Sequence, residues 1–214
     1  MAKKKTETDL VKKQMQNRTE PVEPNQQILT EARLKIHLTA FSEYTSITPD
    51  AVALILRKGH GDKFFSGTPE LSGLTSLSDG VAECISQYGG NLNLNGITEI
   101  SDLSAASLAK HESDLALNGL TCLSDAAAES LSQHEDSLSL NGLTSLSDTA
   151  AESLSQHEGD LSFCELTSLS DAAAKSLSQH KASLSLHNLQ SLSDATAKYL
   201  SQHESIYCPA IEQQ

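Results

Sequence analysis

The stretch LSLNGLTSLSDTAAESLSQHEGD, residues 138–160, decides the fold because close copies of it run through most of the chain. The aspartate of its Ser-Asp pair returns at a constant interval of 23 residues. These aspartates are Asp79, Asp102, Asp125, Asp148, Asp171 and Asp194. A fixed period of this length indicates a supersecondary unit that cannot bury its own apolar face and therefore stacks on copies of itself.

Each unit contains the pattern of one strand followed by one helix. Leu138 and Leu140 flank a polar residue, as in a short half-buried strand, and an Asn-Gly pair next indicates a turn in three units. Ser147 and Asp148 favour a helix start, because either side chain can accept from the free N–H groups of a first turn. An alanine three residues after the aspartate and a leucine or isoleucine six residues after it share one helical face. The sequence therefore predicts an α/β solenoid.

Composition and charge divide the 214-residue chain into two parts. Its apolar content of 38% and aromatic content of 4% suit the thin leucine and alanine core of a solenoid better than a thick globular core. Residues 1–18 carry a net charge of +4, which leaves −17 on the remainder. We expect residues 1–30 to be a disordered basic arm and residues 31–214 to be the solenoid. The solenoid would comprise a divergent first repeat at 34–68, regular repeats at 69–205 and a C-terminal cap at 206–214.

The pattern L-x-L-x-x-L-x-x-L-S-D-x-x-A-x-x-L at residues 138–154 resembles the short leucine-rich repeats of bacteria and is also similar to the cysteine-containing kind. The resemblance covers about residues 34–211. It implies a parallel sheet on the concave face, short helices on the convex face and a binding role. The family's conserved asparagine or cysteine position is apolar here, so we expect an apolar ladder in its place. That column holds Ile97, Leu120, Leu143, Leu166 and Leu189.

A column of histidines has the same 23-residue spacing. It consists of His111, His134, His157, His180 and His203. Stacked repeats would place neighbouring rings about 5 to 10 Å apart. We predict that each histidine caps the last carbonyls of its own helix, with a pH-sensitive edge and a metal ladder as the alternatives. The aspartate column is likewise predicted to cap helices, and the sequence predicts no metal site and no cofactor.

The predicted concave face is small and polar along most of its length, and only its C-terminal end carries larger groups. Cys164, His187 and Tyr207 are therefore the predicted partner-binding residues. Serine and histidine are abundant, but each occupies a slot of the repeat, whereas a catalytic nucleophile needs a unique base in a pocket. We accordingly expect no catalytic residues and no enzymatic activity.

The four cysteines are widely spaced and include no C-x-x-C pair, so they indicate neither a disulfide framework nor a zinc knuckle. No stretch of the sequence is typical of a signal peptide or a membrane span. These features favour a cytoplasmic, monomeric protein. The predicted function is a non-catalytic scaffold that binds a protein partner and no small-molecule substrate. The alternative is a protein tethered to nucleic acid or a membrane surface through the basic arm, with the acidic solenoid as a spacer.

Overall fold

A computed structural model shows a regular succession of short helices and short strands. It describes residues 71–190 and 192–211, together with two earlier strands, β1 (Ile28–Leu29) and β2 (Ser46–Ile47). The helices that follow are α1 (Asp79–Ile85), α2 (Asp102–Leu108), α3 (Asp125–Leu131), α4 (Asp148–Leu154), α5 (Asp171–Leu177) and α6 (Asp194–Leu200). The strands between and after them are β3 (Leu92–Asn93), β4 (Leu115–Ala116), β5 (Leu138–Ser139), β6 (Leu161–Ser162), β7 (Leu184–Ser185) and β8 (Ile206–Tyr207).

The strands β3 to β8 form one parallel sheet in chain order. Leu92 pairs with Leu115, and the same offset of 23 residues holds up to the pairing of Leu161 with Leu184. The repeat period is thus the sheet register, which confirms the predicted α/β solenoid of parallel strands and short helices. The last strand pairs Leu184 with Ile206, an offset of 22, so the final unit is one residue shorter, as its sequence indicates.

The first 70 residues contribute only one strand pair to the described structure, in which β1 and β2 are parallel. Ile28 and Leu29, at the end of the predicted basic arm, are an apolar pair in β1. The strand β2 falls within the predicted divergent repeat at 34–68. The rest of the arm and of that repeat lie outside the described residues, as does the end of the predicted cap, residues 212–214.

The core consists of apolar columns that run from unit to unit. A typical unit contributes two leucines from its strand region, as at Leu138 and Leu140, and an alanine and a leucine from its helix, as at Ala151 and Leu154, and these four are fully buried. The small alanine lets the helix approach the sheet, while each buried leucine contributes about 1.5 to 3 kcal/mol. The predicted apolar ladder is also buried in every unit, with at most 5% exposure at Leu189.

The helix starts correct one prediction, because serine rather than aspartate is the N-cap. The Ser147 hydroxyl accepts from the N–H of Ala150, and Asp148 is already the first helical residue. Five helices are capped in this way, while Ser78 before α1 makes no such bond. The aspartate instead accepts a hydrogen bond from the serine hydroxyl of the next unit, as Asp125 does from Ser147 at 2.5 Å. Each of these five serines therefore caps its own helix and binds the unit before it.

The glycine of each Asn-Gly pair is required by close packing rather than by a left-handed backbone. No glycine in the described residues has a positive φ. A Cβ atom on Gly119 would lie 2.3 Å from the carbonyl oxygen of Asn95, and Gly142 is in the same position against Asn118 at 2.2 Å. Neighbouring units thus approach so closely at this point that a side chain would displace the backbone.

Candidate partner-binding site

The open face of the sheet carries an asparagine ladder, which the sequence interpretation missed. The Oδ1 atom of Asn95 accepts from the backbone N–H of Asn118, and Oδ1 of Asn118 accepts from the N–H of Asn141, both at 3.0 Å. The Asn-Gly pairs lie in turns, as predicted, and their half-buried asparagines also join successive units through their side chains. The signal that reveals them is the column itself, since an amide at a fixed 23-residue spacing faces the same backbone group in every unit.

The ladder ends at Cys164, which occupies the place of the next asparagine. The Oδ1 atom of Asn141 accepts from the backbone N–H of Cys164 at 3.1 Å and from the Ser162 hydroxyl at 2.6 Å. A thiol is a weak acceptor and cannot continue the ladder as an amide does. The Cys164 backbone is therefore fixed by the ladder, while its side chain is left to make a different contact.

That contact is with His187, the residue one repeat further along the same column. The Sγ atom of Cys164 lies 3.2 Å from Nδ1 of His187. Cys164 is half-buried and His187 is exposed, so the pair lies at the boundary between the sheet and solvent. The replacement of asparagine by cysteine and histidine thus converts a structural ladder into a thiol–imidazole pair.

Tyr207 completes the cluster from the neighbouring column of the last strand. Its ring centroid lies 4.7 Å from that of His187, with the two planes inclined by 49°. The Tyr207 side chain is 51% exposed, and among the described residues only Leu103 is a more exposed large apolar side chain. The structure therefore brings together the three residues that the sequence predicted, Cys164, His187 and Tyr207.

A concavity of about 470 Å³ opens beside His187. Its other lining residues are Asn188, Leu189, Gln190, Leu192, Pro209 and Ala210. His187 thus packs against the exposed ring of Tyr207 and also lines this concavity, so the C-terminal end of the face offers both an aromatic anchor and a recess.

The histidine column is a buried ladder and not a row of helix caps. His111, His134, His157, His180 and His203 are all buried, and successive ring centroids lie 5.9 to 6.3 Å apart, within the predicted spacing. The Nδ1 atom of His111 lies 3.3 Å from the carbonyl oxygen of Ser86, which belongs to the helix end of the preceding unit and not to the helix of His111 itself. Both ring nitrogens of His134, His157 and His180 are buried without a partner in good hydrogen-bonding geometry among the described residues. The prediction that each ring caps its own helix is therefore wrong, because the rings point inward and stack across units.

Burial determines the electrostatics of this ladder. Desolvation and the neighbouring His134 and His180 lower the pKa of His157 to about 4. Burial also lowers the pKa of His134, with a further contribution from His111, and that of His180. Burial and His180 together lower the pKa of His203. These four lowered pKa values favour uncharged rings at neutral pH, which agrees with the unpartnered nitrogens of His134, His157 and His180.

The described residues contain no group of three or more histidine, cysteine, aspartate or glutamate side chains that would hold a metal ion. Of the cysteines other than Cys164, Cys122 is exposed, Cys84 is half-buried and Cys208 is buried. In the same part of the chain, each helix has seven residues, and none is long and apolar enough to cross a membrane.

No family model, curated protein or solved structure matches this chain.

Proposed function

We propose that this chain is a non-catalytic, leucine-rich-repeat-like scaffold that binds a protein partner at the C-terminal end of its open sheet face. The observation that carries the proposal is the half-exposed ring of Tyr207 packed 4.7 Å from His187. Tyrosine is enriched at protein interfaces because it offers a large, rigid contact area and a polar hydroxyl. Here it packs against His187, which lines a recess that can receive a side chain of the partner.

Preorganisation supports the same site. His187 contacts Cys164 on one side and Tyr207 on the other, and the backbone of Cys164 is fixed by Asn141. Side chains that are already ordered lose little conformational entropy when a partner binds. The remainder of the face, by contrast, consists of small polar side chains such as Ser139 and Ser185, which are poor anchors.

Affinity capture with a tagged full-length chain tests the proposal. The triple variant Cys164→Ala, His187→Ala and Tyr207→Ala should lose the captured partner. The matched control is the double variant Ser139→Ala and Ser185→Ala on the same face. Alanine already occupies this column naturally, at Ala116. Retention of the partner by the triple variant, or equal loss in both variants, contradicts this assignment.

The charge asymmetry of the sequence favours a second candidate, tethering through residues 1–18. A basic segment with a net charge of +4 binds polyanions with an affinity that falls steeply as salt increases. Deletion of residues 1–18 should leave binding unchanged under the first proposal and abolish it under the second. Binding to anionic vesicles or nucleic acid that disappears at high salt and with the deletion would favour tethering.

A further inference from the structure

The thiol–imidazole pair at the end of the asparagine ladder has a chemical consequence that does not depend on partner binding. A thiolate, not a thiol, is the nucleophile, so a base at hydrogen-bonding distance activates a cysteine. Nδ1 of His187 lies 3.2 Å from Sγ of Cys164. We propose that Cys164 is a site of covalent modification, at which a hydroperoxide oxidises the thiol to a sulfenic acid and His187 takes the thiol proton.

The surrounding hydrogen bonds direct the thiol proton to His187. The Ser162 hydroxyl oxygen also lies near Sγ, at 3.7 Å. The single hydrogen of that hydroxyl is used at 2.6 Å by Oδ1 of Asn141, so Ser162 has none left for the sulfur. The thiol hydrogen therefore goes to the nearer and more basic acceptor, Nδ1, when His187 carries its own proton on Nε2.

Both partners are held in this arrangement from outside the pair. The backbone N–H of Cys164 is bonded to Asn141, and the His187 ring rests against Tyr207. Because Cys164 is only half-buried and His187 is exposed, a small peroxide can reach the sulfur. Fixed geometry and access are the two requirements for a cysteine that reacts selectively.

The oxidation step is balanced by the peroxide and the pair alone. Sulfur attacks one peroxide oxygen, the S–O bond forms and the O–O bond breaks. The departing oxygen takes the proton that His187 received from the thiol and leaves as water when the oxidant is hydrogen peroxide. Sulfur loses two electrons, the peroxide gains them, and His187 returns to its neutral form. Small thiols reverse the modification.

The other cysteines provide internal controls within the same molecule. Cys122 is more exposed than Cys164, and no histidine contact accompanies it among the described residues. Cys208 is buried at 3% exposure and becomes accessible only when the C-terminal units open. If exposure alone determined reactivity, Cys122 would react before Cys164.

The experiment exposes the reduced full-length chain to a limiting amount of hydrogen peroxide in the presence of dimedone, which traps sulfenic acids. Peptide mass spectrometry then measures the initial labelling rate of each cysteine. We expect Cys164 to be labelled at least about tenfold faster than Cys122. His187→Phe, which keeps a ring against Tyr207 and removes the base, should lower the Cys164 rate to that of Cys122. Ser139→Ala changes a residue on the same face that belongs to neither the pair nor the proposed partner-binding site, and it should leave the rate unchanged.

Labelling of Cys208 in any variant would reveal that the variant has lost its fold. If His187→Phe shows such labelling, His187→Asn replaces it as the variant without the base. A Cys164 rate no greater than that of Cys122 overturns the proposal. So does an unchanged Cys164 rate in a folded variant that lacks the His187 imidazole. Because no partner is present, either result is independent of the proposed scaffold function.

Discussion

The imidazole rings of His134 and His157 stack with their centroids 5.9 Å apart and their planes 14° from parallel. Two charged imidazoles at this distance in a buried column would repel each other, so folding favours the neutral form of both rings. The carboxylates that face the ladder, Asp114, Asp136, Asp160 and Glu204, act in the opposite direction, but burial outweighs them.

This stacking predicts that the folded chain loses stability as pH falls from about 6.5 toward 4. In the unfolded chain His157 titrates near its ordinary pKa of 6.5, whereas in the fold its pKa is about 4. Above 6.5 both states are neutral and the stability is fully present. Between those values the unfolded state binds protons that the native state does not, so the free energy of unfolding falls, by about 2 kcal/mol or more. Urea unfolding at pH 7.5 and pH 4.5 measures this difference.

The matched variant for the pH experiment is His157→Phe, which keeps a buried ring but cannot be protonated. It should show a clearly smaller difference between the two pH values. The carboxylates of Asp79 and Asp171 have their pKa values lowered by hydrogen bonds from Ser101 and Ser193, so they protonate only below this window. Equal unfolding free energies of the natural chain at pH 7.5 and 4.5 would contradict a neutral buried ladder.

The asparagine ladder predicts a specific loss for Asn118→Ala. This substitution removes the acceptor of the Asn141 N–H and leaves a half-buried backbone donor unpaired, at a cost of about 1 to 3 kcal/mol. Asn188→Ala is the control, because the Asn188 amide makes only an exposed 3.5 Å contact with Glu165 and should cost less than about 0.5 kcal/mol. Chemical denaturation of both variants measures the difference. Similar losses would show that the ladder contributes nothing beyond an exposed amide.

The period alone is sufficient to predict the fold. A strictly repeated 23-residue unit requires Leu92, Leu115 and Leu138 to be neighbours, and the observed register pairs them. Apolar spacing within each unit separates strand from helix for the same reason, since Ala151 and Leu154 can share a core only on a helical face. Periodicity predicts which residues are neighbours, but it does not specify which atoms of those residues meet.

Because periodicity predicts neighbouring residues and not the atoms that meet, the sequence revealed some contacts at the site and not others. The common column of Cys164 and His187 predicts their proximity, and the short final unit places Tyr207 beside them. The role of Asn118 depends instead on whether its side chain reaches the next unit. That of His157 depends on whether its ring points along the stack or toward its own helix end. The 23-residue spacing is the same in either case, so only three-dimensional packing shows that Asn118 joins two units within its predicted turn and that His157 stacks on its neighbours rather than capping a helix.

The serine caps predict that Ser147→Ala is more harmful than Asp148→Ala. Removal of the Ser147 hydroxyl loses the cap on Ala150 and the bond to Asp125 together, so we expect about 1 to 2 kcal/mol. Asp148→Ala loses the bond from Ser170 and a favourable first-turn charge, about 1 kcal/mol. Asp194→Ala is the control, since no described residue donates to its carboxylate, and it should lose only the charge effect. Equal losses for Asp148 and Asp194 in a denaturant melt would argue against the bond between units.

Close packing of neighbouring units at the Asn-Gly pair predicts that Gly119→Ala destabilises the solenoid. The new Cβ would lie 2.3 Å from the carbonyl oxygen of Asn95 and 2.6 Å from that of Ile97, so the backbone must shift, at a cost of about 1 to 3 kcal/mol. Glu165 shows how a side chain is accommodated at the equivalent place, because its backbone N–H donates to the carbonyl of Asn141 at 3.0 Å. A loss of stability well above this range would mean that the backbones of neighbouring units cannot shift enough to make room for the new Cβ.

Gly89→Ala is the control for that substitution. Nothing lies within 4 Å of a Cβ at Gly89, and its φ is not positive, so the exchange should be neutral or stabilise the chain by up to about 1 kcal/mol. The two alanine variants have the same composition and differ only in what the methyl group meets. A thermal or urea melt should therefore rank Gly119→Ala below the natural chain and Gly89→Ala at or above it. If both variants lose the same stability, the presence of glycine at these positions is explained by backbone entropy and local flexibility and not by contact between units.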